Sequence, residues 1–278
     1  LHNQLSDTDH EVVYTSREQI NVADFQVVKN KFLDISPDVV INATSYTAVD
    51  KAEEENQVAD LINHLAVANI ANTCNQLGCW FIHVSTDYVF DGNSDVPYKE
   101  HDPTSAQGVY GETKLKGELA IQSSGCKHLI IRTAWVFSEY GNNFLKTMLN
   151  LGAELDELSI VGDQIGCPTY AQDLAKAIIA ALDCLESEEL KSDLYNYCGD
   201  KSCSWHEFAL AIFKEVNLMG IKCPNVVHAI KTSEYPTLAP RPAFSALDCS
   251  KIANDFGIPA SNWRKGISAA LKVIINDL

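Results

Sequence analysis

The chain has 278 residues, 46% hydrophobic and 21% charged, which excludes a disordered or fibrous protein and allows one large or two modest domains. Lys and Arg total 21 against 37 Asp and Glu, a formal charge of -16; a surface that negative repels phosphate backbones and anionic lipid, so neither nucleic acid nor membrane is expected as a partner. No apolar run reaches the ~20 residues that span a bilayer, and no basic-then-apolar leader opens the sequence.

Residues 1–5 read as the end of an amphipathic helix and residues 6–9 as a turn. A strand is expected over 11–16, rich in Val and Tyr, then a helix from about 22 to 34 and a short buried strand over 38–43. Apolar residues recur at helical spacing from about 56 to 77, and Gly78 stops that helix. The next units are a strand over 80–84, a helix over 106–123, a strand over 128–132 and a helix over 143–153. This alternation predicts an α/β fold, a doubly wound, Rossmann-like parallel sheet covered on both faces.

Beyond about residue 155 the rhythm loosens. Strands are expected over 158–161, 194–197 and 226–230, and helices over 172–185, 204–216 and 263–276. The proline-rich run 235–242 must be irregular. These elements divide the chain into a dinucleotide-binding domain (1–150 plus about 170–190) and a smaller C-terminal substrate-binding domain (about 151–169 and 191–278).

Nine cysteines with no Cys-x-x-Cys pair read as reduced thiols of a cytoplasmic protein. His206-Glu207 opens like a zinc-protease helix, but Leu210 stands where the second histidine belongs, so no metal site is assigned. The acidic runs Glu53-Glu54-Glu55 and Glu186/Glu188/Glu189 read as solvated helix ends.

Doubly wound sheets bind ligands beyond the carboxyl ends of their strands. Where the strand over 80–84 ends stand Ser85-Thr86-Asp87-Tyr88-Val89-Phe90, and farther on come Tyr110 and Lys114. Residues i and i+4 share a helix face. An ammonium beside a phenol is expected to lower the phenol's pKa toward working pH, making a proton donor for a ketone or an acceptor for an alcohol. Tyr197 and Lys201 match the same spacing; Gly199 and Asp200 between them are poor helix formers, and no hydroxyl-bearing strand end precedes them.

The blocks Ser85 to Gly92 and Val109 to Glu118 resemble the extended short-chain dehydrogenase/reductase superfamily, and within it the dTDP-4-dehydrorhamnose reductase family. Further matches run through Asn42-Ala43, Thr47 to Glu53, Arg132 to Phe137, Gly141 to Phe144, Gly162 to Thr169 and Arg241-Pro242. The resemblance implies a catalytic triad of Thr86, Tyr110 and Lys114, with Lys114 also bonding the nicotinamide ribose. It places Thr86, Asp87, Val49, Trp135 and Arg241 around the sugar substrate, Arg241 toward its diphosphate. Asn21, Val22, Ala43, Ser45, Tyr46 and Thr47 fall on the cofactor side. Leu1 matches a point inside the helix after the family's Gly-rich turn, so that turn and the first strand, about 15–20 residues at typical lengths, are expected to precede the sequence given. Ser16-Arg17 stand where an acidic residue would favour NAD; Arg17 admits a 2′-phosphate and points to NADPH, with NADH still accepted. Mg2+ stays open, as does a homodimer.

The activity so implied is NAD(P)H-dependent reduction of the C4 ketone of dTDP-4-dehydro-6-deoxy-L-mannose to dTDP-L-rhamnose. Two other readings stand beside it. An epimerase shares the triad, whereas Tyr88 occupies the place of a dehydratase's glutamate. A non-catalytic dinucleotide-binding subunit, resembling the regulatory subunit of methionine adenosyltransferase, is the alternative from another class.

Overall fold

The computed structural model describes residues 1–185 and 191–276. From the start, one turn, α1 (His2–Leu5), precedes α2 (Phe25–Ile35), β1 (Val39–Asn42) and a short α3 (Val49–Ala52). Helix α4 (Asn56–Asp60) runs through a π turn (Leu61–Leu65) into α5 (Ala66–Leu77) with helical dihedrals at every junction. Next come β2 (Trp80–Thr86), α6 (Val109–Ser123), β3 (Lys127–Thr133), β4 (Val136–Phe137), α7 (Phe144–Glu154) and β5 (Glu157–Val161). The remainder comprises β6 (Ile165–Gly166), β7 (Thr169–Tyr170), α8 (Ala171–Asp183), β8 (Asp193–Asn196), β9 (Cys203–Ser204) and α9 (Trp205–Leu218), then β10 (Val226–Ile230), α10 (Ser250–Phe256) and α11 (Trp263–Asn276).

The central sheet has four parallel strands in the order β1-β2-β3-β8. Strand side chains alternate between faces. On β2, Phe81 meets Val67 and Ile70 of α5 and Ile121 of α6, whereas Ile82 meets Ile178 of α8 and Ile252 of α10. Burial on both faces is what a parallel sheet requires. The same period sends His83 and Ser85 to the side of Phe81, toward α6. Two α6 glycines admit close approach there: a Cβ on Gly111 would overlap the carbonyl oxygen of Tyr88, and one on Gly117 that of Asn63.

A second core lies among α7, α9 and α11, built on Leu145, Phe208, Ile212, Trp263 and Ile267. The parallel pair β5–β10 runs beside it. Helix α9 begins with a capping box: Ser204 Oγ accepts from Glu207 N at 3.0 Å, and Ser204 N donates to the Glu207 carboxylate at 2.8 Å.

Several expectations are corrected. Among the described residues, 11–16 form no strand and β1 is ladder-bonded to β2 alone; Val13 and Tyr14 are exposed. The first long helix starts at Phe25, not near 22, because the Asp24 carboxylate accepts from Val27 N and caps it there. Helix α6 starts at Val109 rather than 106, where Glu53 Oε1 accepts from the Val109 amide at 2.9 Å. Strand β8, assigned above to the second domain, pairs with β3 and buries Leu194 and Tyr195. The run containing Glu186, Glu188 and Glu189 lies outside the described residues. Among the described residues no helix is long and apolar enough to cross a membrane.

Candidate active site

A cleft of about 1180 Å³ opens at the carboxyl ends of the central strands. Its walls include Ala43 beyond β1, Thr86 and Asp87 at the end of β2, and Thr133, Ala134 and Trp135 at the end of β3. Tyr110 and Lys114 of α6 both line it, one helical turn apart, so a single face carries them to the same space.

Thr86 is the last residue of β2 and the cap of the 3₁₀ turn Asp87–Val89: its Oγ1 accepts from Tyr88 N at 3.2 Å and donates to Asp87 Oδ1 at 3.0 Å. Tyr110 packs edge-on against Tyr88, ring centres 5.5 Å apart. Burial pushes the Tyr110 phenol well above its ordinary pKa, while the hydroxyls of Thr86 and Ser45 pull it down. The lowered phenol pKa expected from Lys114 is therefore corrected. The Lys114 ammonium turns instead to the sheet, donating to Val84 O at 2.7 Å and lying 3.1 Å from His83 Nε2. Lys114 is 1% exposed; burial lowers its pKa to about 8, against an opposing pull from Glu118.

Asp87 is 2% exposed, and its Oδ2 has no hydrogen-bond partner. Burial raises its pKa to about 6 from an ordinary 3.8. A free acceptor in a cleft wall suits a sugar hydroxyl, which would supply the missing donor. Because the folded state binds this proton more tightly than the unfolded chain, stability falls as pH rises through the interval between those two values. Asp87→Asn is expected to stabilise the protein relative to the parent by on the order of 1–3 kcal/mol more at pH 7.5 than at pH 4. Urea unfolding at both pH values checks this, and an equal difference at the two would refute it.

Trp135 takes a left-handed backbone, φ 46°, a strained choice for a bulky residue that clusters at functional sites. Its indole stacks on Trp205, 3.5 Å between centres and 7° from parallel. Gly166 lies under it, where a Cβ would collide with the ring. Val49 also faces the cleft. Arg241 lines the cleft yet is engaged: Nη2 pairs with Asp50 at 2.6 Å, and Nη1 donates to Tyr88 Oη at 3.2 Å. Asp163 accepts from the Thr232 amide and hydroxyl and does not line the cleft.

On the cofactor side Ala43, Ser45 and Thr47 line the cleft. Tyr46 does not; its hydroxyl donates to Glu55 at 2.7 Å. Arg17, Asn21 and Val22 also lie outside the lining: Arg17 sits exposed in a turn, Asn21 Oδ1 accepts from Ala23 N, and Val22 packs on the cluster around Phe81. Among the described residues no group of three or more His, Cys, Asp or Glu side chains is placed to hold a metal.

Sequence reading missed Asn63, Trp205 and His83. Buried Asn63 sits in the π turn, an irregularity that often marks functional sites. Its Oδ1 accepts from Ser45 Oγ and Tyr46 N, and its Nδ2 donates to Tyr46 O and Thr113 Oγ1, tying the loop after β1 to α6. No spacing in the sequence announces these contacts, because each joins residues from separate elements.

The family model described as "RmlD substrate binding domain" matches residues 1–275. The chain is 43% identical over 245 residues to the dTDP-4-dehydrorhamnose reductase of Escherichia coli (strain K12), covering 88% of this chain and 81% of that protein. The crystal structure of a dTDP-4-dehydrorhamnose reductase from Clostridium acetobutylicum superposes with a TM-score of 0.91 at 34% identity, over 99% of this chain and 94% of that one. A third likeness, at 31% identity and a TM-score of 0.89 over 98% and 94% of the two chains, is to the dTDP-4-dehydrorhamnose reductase of Bacillus anthracis str. Ames in complex with NADP.

Proposed function

The chain belongs to the RmlD substrate-binding-domain family, that of the dTDP-4-dehydrorhamnose reductases, and on that premise we propose that it reduces the C4 ketone of dTDP-4-dehydro-6-deoxy-L-mannose to dTDP-L-rhamnose with NADPH. The observation that carries this reading is the convergence of Thr86, Tyr110 and Lys114 on one cleft at the strand ends. NADPH is favoured by the NADP bound to the Bacillus anthracis relative. Exposed Arg17, without an ion pair among the described residues, is the cation proposed for the 2′-phosphate.

Ser45, Thr47 and Lys114 would hold the cofactor, which supplies the hydride when bound. Tyr110 gives its phenolic proton to the oxygen left on the sugar, and Thr86 donates a hydrogen bond to the same atom. Burial keeps the phenol protonated at working pH, the form a reduction consumes. Asp87 accepts a sugar hydroxyl, and Trp135, held by Trp205, walls the ring. Arg241 reaches the diphosphate only by leaving Asp50, so its proposed role there requires exchange of one anion for another.

The test follows NADPH absorbance with the keto sugar and the full chain. One NADPH consumed per ketone is expected. Retained NAD with no net consumption would identify an epimerase instead, and dinucleotide binding without turnover would identify a regulatory subunit.

A further inference from the structure

Beneath Lys114 lies a buried histidine that the reaction above does not use. His83 is 0% exposed and stands on β2 three residues before Thr86 at the strand end. Its Nδ1 is 3.2 Å from Asn42 Nδ2, and its Nε2 is 3.1 Å from Lys114 Nζ. The direction of this chain can be read from its far end. The backbone amide of Thr44 donates to Asn42 Oδ1 at 3.0 Å, and a backbone amide can only donate. The Asn42 oxygen is thereby fixed toward Thr44 and its NH2 toward His83. Nδ1 must then accept, so the single proton of the neutral ring sits on Nε2 and points at Lys114.

A donor on Nε2 suits a lysine with a lone pair and opposes one with three N–H groups. Val84 O accepts from the same nitrogen at 2.7 Å in either state. We propose that His83 is a positioning residue for the reduction, whose Nε2–H favours the free amine of Lys114 and so makes the ammonium a ready proton donor. The inference rests on the reductase reading. After Tyr110 has passed its proton to the sugar oxygen, the phenolate must be reprotonated. Water in the cleft that Tyr110 and Lys114 both line carries the Lys114 proton to the phenolate; the nitrogen keeps the electron pair, and the amine is received by His83 Nε2–H. Solvent in the cleft then restores the lysine proton.

The surroundings agree. Burial and the nearby Lys114 charge hold the His83 ring well below its ordinary pKa, so it stays neutral. The charged groups facing the pair are few. Glu118, from α6, is bound to Arg132 of β3 and to Ser85; Ile130 of β3 is the ladder partner of His83, and the apolar cluster that holds Phe81 and Ile130 takes Val67, Ile70 and Ala71 from α5. Phe81 lies beside the imidazole, 5.8 Å between ring centres.

Two measurements on the full chain test the proposal. In the parent protein, long-range ¹⁵N spectra of labelled histidine are expected to show His83 as the Nε2–H tautomer from pH 6 to pH 9. An Nδ1–H tautomer or an imidazolium in that range overturns the inference while leaving the reductase reading intact. In His83→Gln the carboxamide can turn its oxygen to the ammonium, so the alkaline limb of the kcat–pH profile is expected to move up by about one unit. A uniformly slower variant with an unmoved limb means that His83 only fills space, and it too overturns the proposal. Should His83→Gln not fold, the tautomer measurement decides alone. Failure of the parent chain to consume NADPH with the keto sugar would sink the reductase reading, not the tautomer result.

Discussion

Tyr110→Phe is expected to lower kcat for the keto sugar by about 10²–10⁴-fold, the usual worth of a placed general acid, with little change in KM. Only the hydroxyl is removed. The edge-on packing of the ring against Tyr88 survives in phenylalanine, so the variant should fold and bind like the parent. The phenol is needed as an acid because the hydride leaves negative charge on the sugar oxygen. Tyr110 is a sound donor because burial keeps it protonated. Stopped-flow or steady-state NADPH absorbance reads the effect directly, and a variant as fast as the parent would remove Tyr110 from the mechanism.

Glu118→Leu is expected to cost about 3–5 kcal/mol of stability, the range for removing one partner of a buried ion pair. Glu118 and Arg132 are both almost wholly buried and bond twice, at 3.0 and 2.7 Å. Arg132 also donates to Glu100 O and lies over the Phe90 ring, and Ser85 Oγ donates to Glu118 at 2.5 Å. Loss of the carboxylate strands a guanidinium inside the fold. With total stabilities near 5–15 kcal/mol, such a loss would be visible at once as a lower urea midpoint. Glu118→Leu with Arg132→Leu should recover much of it, since the cost is the stranded charge rather than the absence of a pair. A single variant within about 1 kcal/mol of the parent, at the level of an exposed pair, would show that Arg132 finds another anion or water. The pair also joins α6, which carries Tyr110 and Lys114, to β2 and β3, whose ends carry Thr86 and Trp135. The single variant should therefore lose activity before it unfolds.

Much of this was legible in the residues. Strands such as Trp80–Thr86 and Val226–Ile230 and helices such as Trp263–Asn276 follow from local apolar periodicity and local caps, signals contained within one window. The errors fall where a distant partner decides. Val-Tyr-rich residues 11–16 look like a strand, but a strand exists only with a neighbour to bond. Helix α6 starts where Glu53 reaches in from another segment to cap it.

The site divides along the same line. The chain's own order placed Thr86 at a strand end and put Tyr110 and Lys114 on one face of one helix, because period two and period 3.6 are local geometry. Contacts between elements could be found only in three dimensions. The Lys114 nitrogen addresses His83 rather than the phenol, Trp205 stacks beneath Trp135, and Arg241 is held by Asp50. Which groups are buried together, and hence which protons are held or released, depends on desolvation and on partners remote in sequence; folding supplies both.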